Sequence, residues 1–256
     1  MTSIELFEPI GHESVADSVI GQIEKMIAAG ILKEGRRLPA ERNLAEALGV
    51  SRPKLREALQ SLEGRGLVQT RHGEGTFIAP LTGRAMLPAL QALYGRHEPA
   101  FFDYLEYRRA QEEFAARLAA ERATRADRAR LREILGDLEI AWKENNMEKS
   151  SEADFQLHSA IVDASQNATL IHMMASIYDV ARQRLFHNRD FLRTIDGTGA
   201  QLLAQHKDIG EAILEADPAR ASTAAVTHID FVLKSFRNWI EQNRREVLSE
   251  KRRILS

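Results

Sequence analysis

The stretch LPAERNLAEALGVSRPKLREALQSLEGRGLVQTRHGEGTFI, residues 38–78, decides the fold. Leu44, Ala45 and Leu48 fall at i, i+1 and i+4, one face of a short helix. Leu55, Ala58, Leu59 and Leu62 fall at i, i+3, i+4 and i+7, one face of a second. Between them, Gly49 suits a left-handed helix end, Ser51 suits an N-cap and Pro53 suits the first turn of the next helix. Two such helices joined by so tight a turn make a helix-turn-helix, whose second helix enters a DNA major groove.

The second helix carries Arg52 and Arg56 on one face, with Lys54 near the same end. All three lie at the N-terminal part, which approaches base edges and phosphates, and an arginine there can bridge guanine O6 and N7. After it, Gly66–Gln69 and Thr76–Ile78 read as strands around an Arg71–Gly75 hairpin tip with two glycines. A hairpin in that place is a wing, and Gly73 lets backbone approach DNA closely. The bland reading is a helical hairpin with a solvated charged face, because generic helix-turn-helix patterns carry many false positives.

The ordered run Pro39-Ala40-Glu41-Arg42, Leu44-Ala45, Val50-Ser51-Arg52, Leu55-Arg56-Glu57-Ala58-Leu59, Gly66-Leu67 and Gly75-Thr76-Phe77 resembles the N-terminal domain of GntR-family transcription regulators. The resemblance implies contacts with double-stranded operator DNA from Arg42, Arg52, Lys54 and Arg56. It places Ser51 and His72-Gly73 beside phosphate or the minor groove. Pro53, within the same DNA-reading segment, departs from the threonine that some relatives carry there.

Composition sets the outer bounds. A chain of 256 residues has room for one domain or two, each with a sizeable core. It has no cysteine, which excludes disulfides and thiolate metal sites. MTSIELFEPIGHE lacks a basic n-region and an apolar h-region, and no apolar run approaches membrane-spanning length, so a soluble, cytoplasmic protein is expected, with no membrane partner. Net charge is −2, yet Arg36, Arg37, Arg42, Arg52, Lys54, Arg56, Arg65 and Arg71 face only Glu41, Glu46, Glu57 and Glu63 between residues 36 and 72. A local basic footprint on an acidic protein suits a selective DNA binder.

In chain order, Val15, Val19, Ile23 and Ile27 predict a supporting helix over 13–29 ending at Gly30. The DNA-binding domain is therefore expected over 1–78. Pro80, Gly83, Pro88 and Gly95 mark a linker at 79–97 with one short helical piece. Beyond it only helical periodicity appears, with helices expected at 99–122, 124–145, 148–165, 168–192, 196–216 and 218–244. The fold class is mainly α: a winged helix-turn-helix followed by an all-α six-helix bundle over 98–245. The charged tail, 246–256, is expected to fray.

Polar groups interrupt the apolar stripes of this bundle. Asp154 and His158 are i, i+4; His206 lies within Leu202, Ile209 and Ile213; His228 lies within Ala225 and Val232; and Arg108 and Glu112 interrupt Phe101, Leu105, Ala115 and Ala119. Burying such groups costs several kcal/mol each unless they are paired or ligated. Any one histidine is explained as a core residue bonded to a backbone carbonyl. The set is equally explained by a three-nitrogen, one-oxygen metal site, and spacing alone does not show whether the four converge. The remaining histidines, His12, His97, His172 and His187, are read as ordinary.

Asp154-Phe155-Gln156-Leu157-His158, then Asn167, His206 and His228-Ile229, resemble the ligand-binding FCD domain of the FadR subfamily. The resemblance implies that Asp154, His158, His206 and His228 hold one divalent transition metal, zinc, nickel or manganese. It also implies that open metal positions take the carboxylate of a small organic acid, with Arg108 and Asn167 reaching that effector. Fatty-acyl-responsive relatives lack this ligand set, and the run of motifs is most similar to lactate- and pyruvate-responsive members. The expected function is a homodimeric, DNA-binding repressor controlled by a metal-anchored carboxylate. The alternatives are an unregulated DNA binder with a structural metal and a metallohydrolase fused to a DNA-binding head. Against the last, the chain has no HExxH, no GxSxG and no evident general base beside the ligands.

Overall fold

Ser14 caps the first helix: its Oγ accepts from Asp17 N at 3.1 Å while the Asp17 carboxylate accepts from Ser14. The computed structural model describes residues 14–81, 97–180 and 198–254. The chain divides into two compact units, 1–81 and 82–256.

In the first unit, α1 (Val15–Ala28) buries Val19, Ile20, Ile23 and Ile27. Helix α2 (Glu41–Leu48) closes on Gly49, at φ 65°, and α3 (Arg52–Gly64) buries Leu55, Ala58, Leu59 and Leu62. Pro53 sits in the first turn of α3, as its spacing predicts. Ser51 takes the extended backbone of a cap (φ −70°, ψ 146°), but its side chain makes no capping hydrogen bond. Strands β1 (Val68–Arg71) and β2 (Gly75–Ile78) pair antiparallel, Val68 opposite Ile78 and Arg71 opposite Gly75. The first strand starts later than its composition suggests, because Gly66 N and Leu67 N still bond to Glu63 O and Leu62 O at the end of α3. Arg36–Leu38 adds a third edge: Leu38 N donates to Thr76 O (2.8 Å) and Ile78 N to Arg36 O (2.9 Å). Val68, Ile78 and Leu38 close the hydrophobic core beneath this wing.

The second unit is helical throughout its described residues: α4 (Glu98–Arg122), α5 (Arg125–Lys143), α6 (Met147–Ala164), α7 (Ala168–Val180), α8 (Thr198–Leu214) and α9 (Pro218–Ile254). Their starts follow the sequence chemistry. Thr124 and Asp127 form a reciprocal cap, Asn146 Oδ1 accepts from Lys149 N (3.0 Å), and Pro218 opens α9. Helix α9 packs along α4, α5 against α6, and α8 against α9. The core is built from Leu131, Ile134, Leu138, Leu157, Ile161, Met174, Ile209 and Ile213.

One expectation is corrected here. Rather than fraying, the charged tail continues α9 to Ile254. Its arginines, glutamates, lysine and leucine are good helix formers, and Glu241 pairs with Arg245 at i, i+4. Residues 82–96 of the expected linker, 181–192 of the expected fourth bundle helix, and His12 and His187 lie outside the described residues.

Candidate functional site

The amino end of α3 presents Arg52, Lys54 and Arg56 to solvent, with exposed Arg42 on the first turn of α2. Glu41 ties the two helices together: Arg56 Nε donates to its Oε2 at 2.7 Å, and Arg52 lies 3.7 Å from the same oxygen. Lys54 pairs with Glu57 at 2.8 Å. These are exposed pairs, worth about 0–1 kcal/mol, so a phosphate or guanine edge displaces the carboxylates cheaply. His72 and Gly73 occupy the exposed wing tip, where Gly73 has φ 76°. The wing carries two further basic groups that the sequence reading counted only as charge. Arg71 stacks over Phe77, 4.5 Å from the ring centroid, and Arg37 lies over Gly75, where an added Cβ would come within 3.1 Å of its Nε. Strand alternation could have found both, since Arg37, Phe77, Gly75 and Arg71 share one face by register.

The bundle interior holds the second cluster. Asp154 and His158 come from α6, His206 from α8 and His228 from α9, and all four are buried. Nitrogens of the three histidines lie within 4.8 Å of one another. Asp154 Oδ1 is 3.0 Å from His206 Nε2 and 3.9 Å from His158 Nε2. The buried Nε2 atoms of His158 and His228 have no hydrogen-bond partner. Three imidazoles and a carboxylate, with the Nε2 atoms of His158 and His228 buried and unsatisfied, have the donor chemistry of a divalent-metal site. The residues fit the metal that the resemblance implies.

The opposite ring nitrogens are fixed from behind. His158 Nδ1 lies 2.7 Å from Glu112 Oε2, and His228 Nδ1 lies 3.2 Å from Gln205 Oε1. Both acceptors require the proton on Nδ1, which leaves Nε2 as the lone-pair donor. Burial above all, then neighbouring His206, His158 and Arg108, hold His228 well below its usual pKa of 6.5, so the ring is neutral and ready to ligate. Glu112 also accepts from Arg108 Nε and from the Tyr178 hydroxyl (3.2 Å). Burial opposes its charge, but Arg108 and His158 outweigh that and bring its pKa down to about 2.

Arg108 therefore sits beside the ligand cluster, buried on Glu112. Asn167 is placed otherwise: its Oδ1 accepts from Leu170 N at 3.1 Å and caps α7, and no hydrogen bond joins it to the cluster. In the sequence Glu112 shows only as an interruption of an apolar stripe, with no role attached. Gln205 and Tyr178 carried no signal, being ordinary residues at ordinary helical positions.

Residues 15–78 match the model of the gntR family of bacterial regulatory proteins, and residues 103–231 match the FCD domain, a metal-binding family. The chain belongs to the GntR family. A regulatory protein of Escherichia coli (strain K12) named for the L-lactate dehydrogenase operon is 32% identical over 90% of each chain. The Glc operon transcriptional activator of the same organism is 33% identical over 86% of this GntR regulator and 88% of its own length. The HTH-type transcriptional regulator LutR of Bacillus subtilis (strain 168) is 32% identical, over 85% and 99%. Among solved structures, a Streptococcus agalactiae GntR protein superposes with a TM-score of 0.55 at 27% identity, covering 86% of this chain and 99% of that one. This GntR protein is thus a DNA-binding transcription regulator and not an enzyme. Among the described residues no helix is long and apolar enough to cross a membrane.

Proposed function

We propose that this GntR regulator is a sensor of a small carboxylate, held at a metal in the 98–245 effector domain, and that binding of the acid changes operator affinity. The observation that carries the reading is the inward convergence of Asp154, His158, His206 and His228, with the Nε2 atoms of His158 and His228 buried and unsatisfied. Zinc suits this donor set, with nickel and manganese as alternatives. The metal supplies a positive centre with positions left open for an anion. Arg108 supplies a second cationic anchor; Asn167, which caps α7, is given no contact with the acid. A hydroxyl or keto oxygen next to the carboxylate chelates alongside it, which favours lactate or pyruvate; the name of the Escherichia coli relative carries L-lactate.

DNA recognition is assigned to Arg42, Ser51, Arg52, Pro53, Lys54, Arg56, His72 and Gly73. The regulator works as a homodimer, because one recognition helix reads too few bases for a useful specificity ratio. The acid acts by favouring one arrangement of the dimer over another, and repression is the proposed mode, with the acid changing operator affinity.

The test is a thermal-shift screen of the zinc-loaded protein against carboxylates of two to six carbons, followed by gel shifts with the hits. Saturable stabilisation by a 2-hydroxy or 2-keto acid that also alters operator affinity supports the sensor. Stabilisation by zinc with no response to any acid leaves the metal a structural role and overturns the proposal.

A further inference from the structure

Glu112 touches this site from outside the proposed ligand set. Its two oxygens do different work. Oε2 lies 2.7 Å from His158 Nδ1; Oε1 accepts from Arg108 Nε and, at 3.2 Å, from the Tyr178 hydroxyl. One carboxylate on α4 thereby joins a ligand on α6, the arginine of its own helix and a tyrosine on α7. All four side chains are buried, so water offers no substitute partner.

We infer that Glu112 is the positioning residue of the site: it sets the His158 tautomer that turns a lone pair toward the metal, and with the same group it fixes Arg108 beside that metal. The inference rests on the metal reading of the four ligands. It follows from what a carboxylate can do and an amide cannot. Glu112 accepts on both oxygens, so His158 Nδ1 and Arg108 Nε both donate to it. A glutamine has one acceptor and one donor. The charged Arg108 claims the acceptor, leaving the amide NH2 against His158 Nδ1. That ring nitrogen must then accept, the imidazole proton moves to Nε2, and the lone pair facing the ligand cluster is lost.

Glu112→Gln in the full-length protein tests this, with zinc alone as the probe. Zinc affinity is measured by competition with a chelating indicator, and folding of the metal-free protein by circular dichroism and thermal midpoint. The expected result is a folded variant that binds zinc about 10–100-fold more weakly than wild type, the range for loss of an outer partner. Wild-type zinc affinity in the folded variant overturns the inference. Absence of zinc binding by the wild type overturns the ligand reading itself. A second measurement needs no variant of Glu112: nitrogen-15 spectra of metal-free wild type, with the His158 signal assigned by its loss in His158→Gln. A protonated Nδ1 and bare Nε2 are expected there, and the reverse tautomer overturns the inference even if Glu112→Gln does not fold.

Discussion

Asp154 Oδ1 lies 3.0 Å from His206 Nε2, a contact between α6 and α8 in the buried interior of the bundle. In the proposed site His206 is a ligand, and in the metal-free protein its Nε2 is within hydrogen-bond reach of an interior carboxylate. His206→Ala is expected to lower zinc affinity by more than the ~100-fold upper range for an outer partner. It should also cost about 1–3 kcal/mol of stability in the metal-free state, because Asp154 loses that donor. DNA binding without effector is spared. Metal content by elemental analysis and a gel shift check both halves; full metal occupancy in the variant contradicts the assignment.

Arg52 stands at the first position of α3, exposed and only loosely tied to Glu41. Arg52→Ala is expected to lose about 1–3 kcal/mol of discrimination between the operator and a scrambled duplex, the value of one bidentate base contact. The helical spectrum should be unchanged. Operator sequences recovered from a random duplex pool provide the probe, and unchanged selectivity counts against α3 as the reading helix.

Gly73 separates two costs. At φ 76° a side chain is strained, yet an added Cβ meets nothing within 4 Å in the protein. Gly73→Ala should therefore cost about 1–2 kcal/mol in the free protein, the penalty of left-handed backbone. With the wing tip against DNA, the extra carbon also lowers operator affinity, whereas the strain, common to free and bound protein, does not. Chemical denaturation and binding titrations read the two separately. Unchanged operator affinity would place the tip away from DNA.

Acid should destabilise the metal-free protein in a definite window. His228 is held below the usual 6.5 by burial first and then by its cationic and imidazole neighbours. As pH falls below 6.5 the unfolded chain takes up a proton that the folded one refuses, and stability drops. Glu112, brought to about 2 from 4.5 because Arg108 and His158 outweigh its burial, contributes stability above 4.5 that is lost as pH falls toward 2. Both act in the same direction. Denaturant midpoints should decline from pH 7.5 to 5.5 with a slope of at most about 1.4 kcal/mol per unit from His228, and His228→Gln should flatten that first segment. A slope identical in the variant assigns the effect elsewhere.

The local features of this fold were legible because they are local. Helical periodicity at Val19, Ile23 and Ile27, the cap at Thr124 and the first-turn proline at Pro218 depend on neighbours in sequence. By spacing alone the four proposed ligands are visible only as polar interruptions of apolar stripes, and it is the resemblance that groups them. Their convergence depends on how α6, α8 and α9 are rotated against one another, which spacing within any one helix does not encode. For the same reason Glu112 was noticed but its partners were not, and Gln205 was not noticed at all. At the carboxyl end of α9 the sequence reading weighed charge as a sign of fraying, whereas helix propensity and the Glu241–Arg245 pair carry the helix onward.

The claim on which the sensor depends is that the metal itself holds the acid. Calorimetric titration of L-lactate and of pyruvate into zinc-loaded and zinc-stripped full-length protein tests it most directly. Saturable heat from at least one acid in the loaded protein alone is the predicted result. The same isotherm in both forms, or none in either, would contradict it.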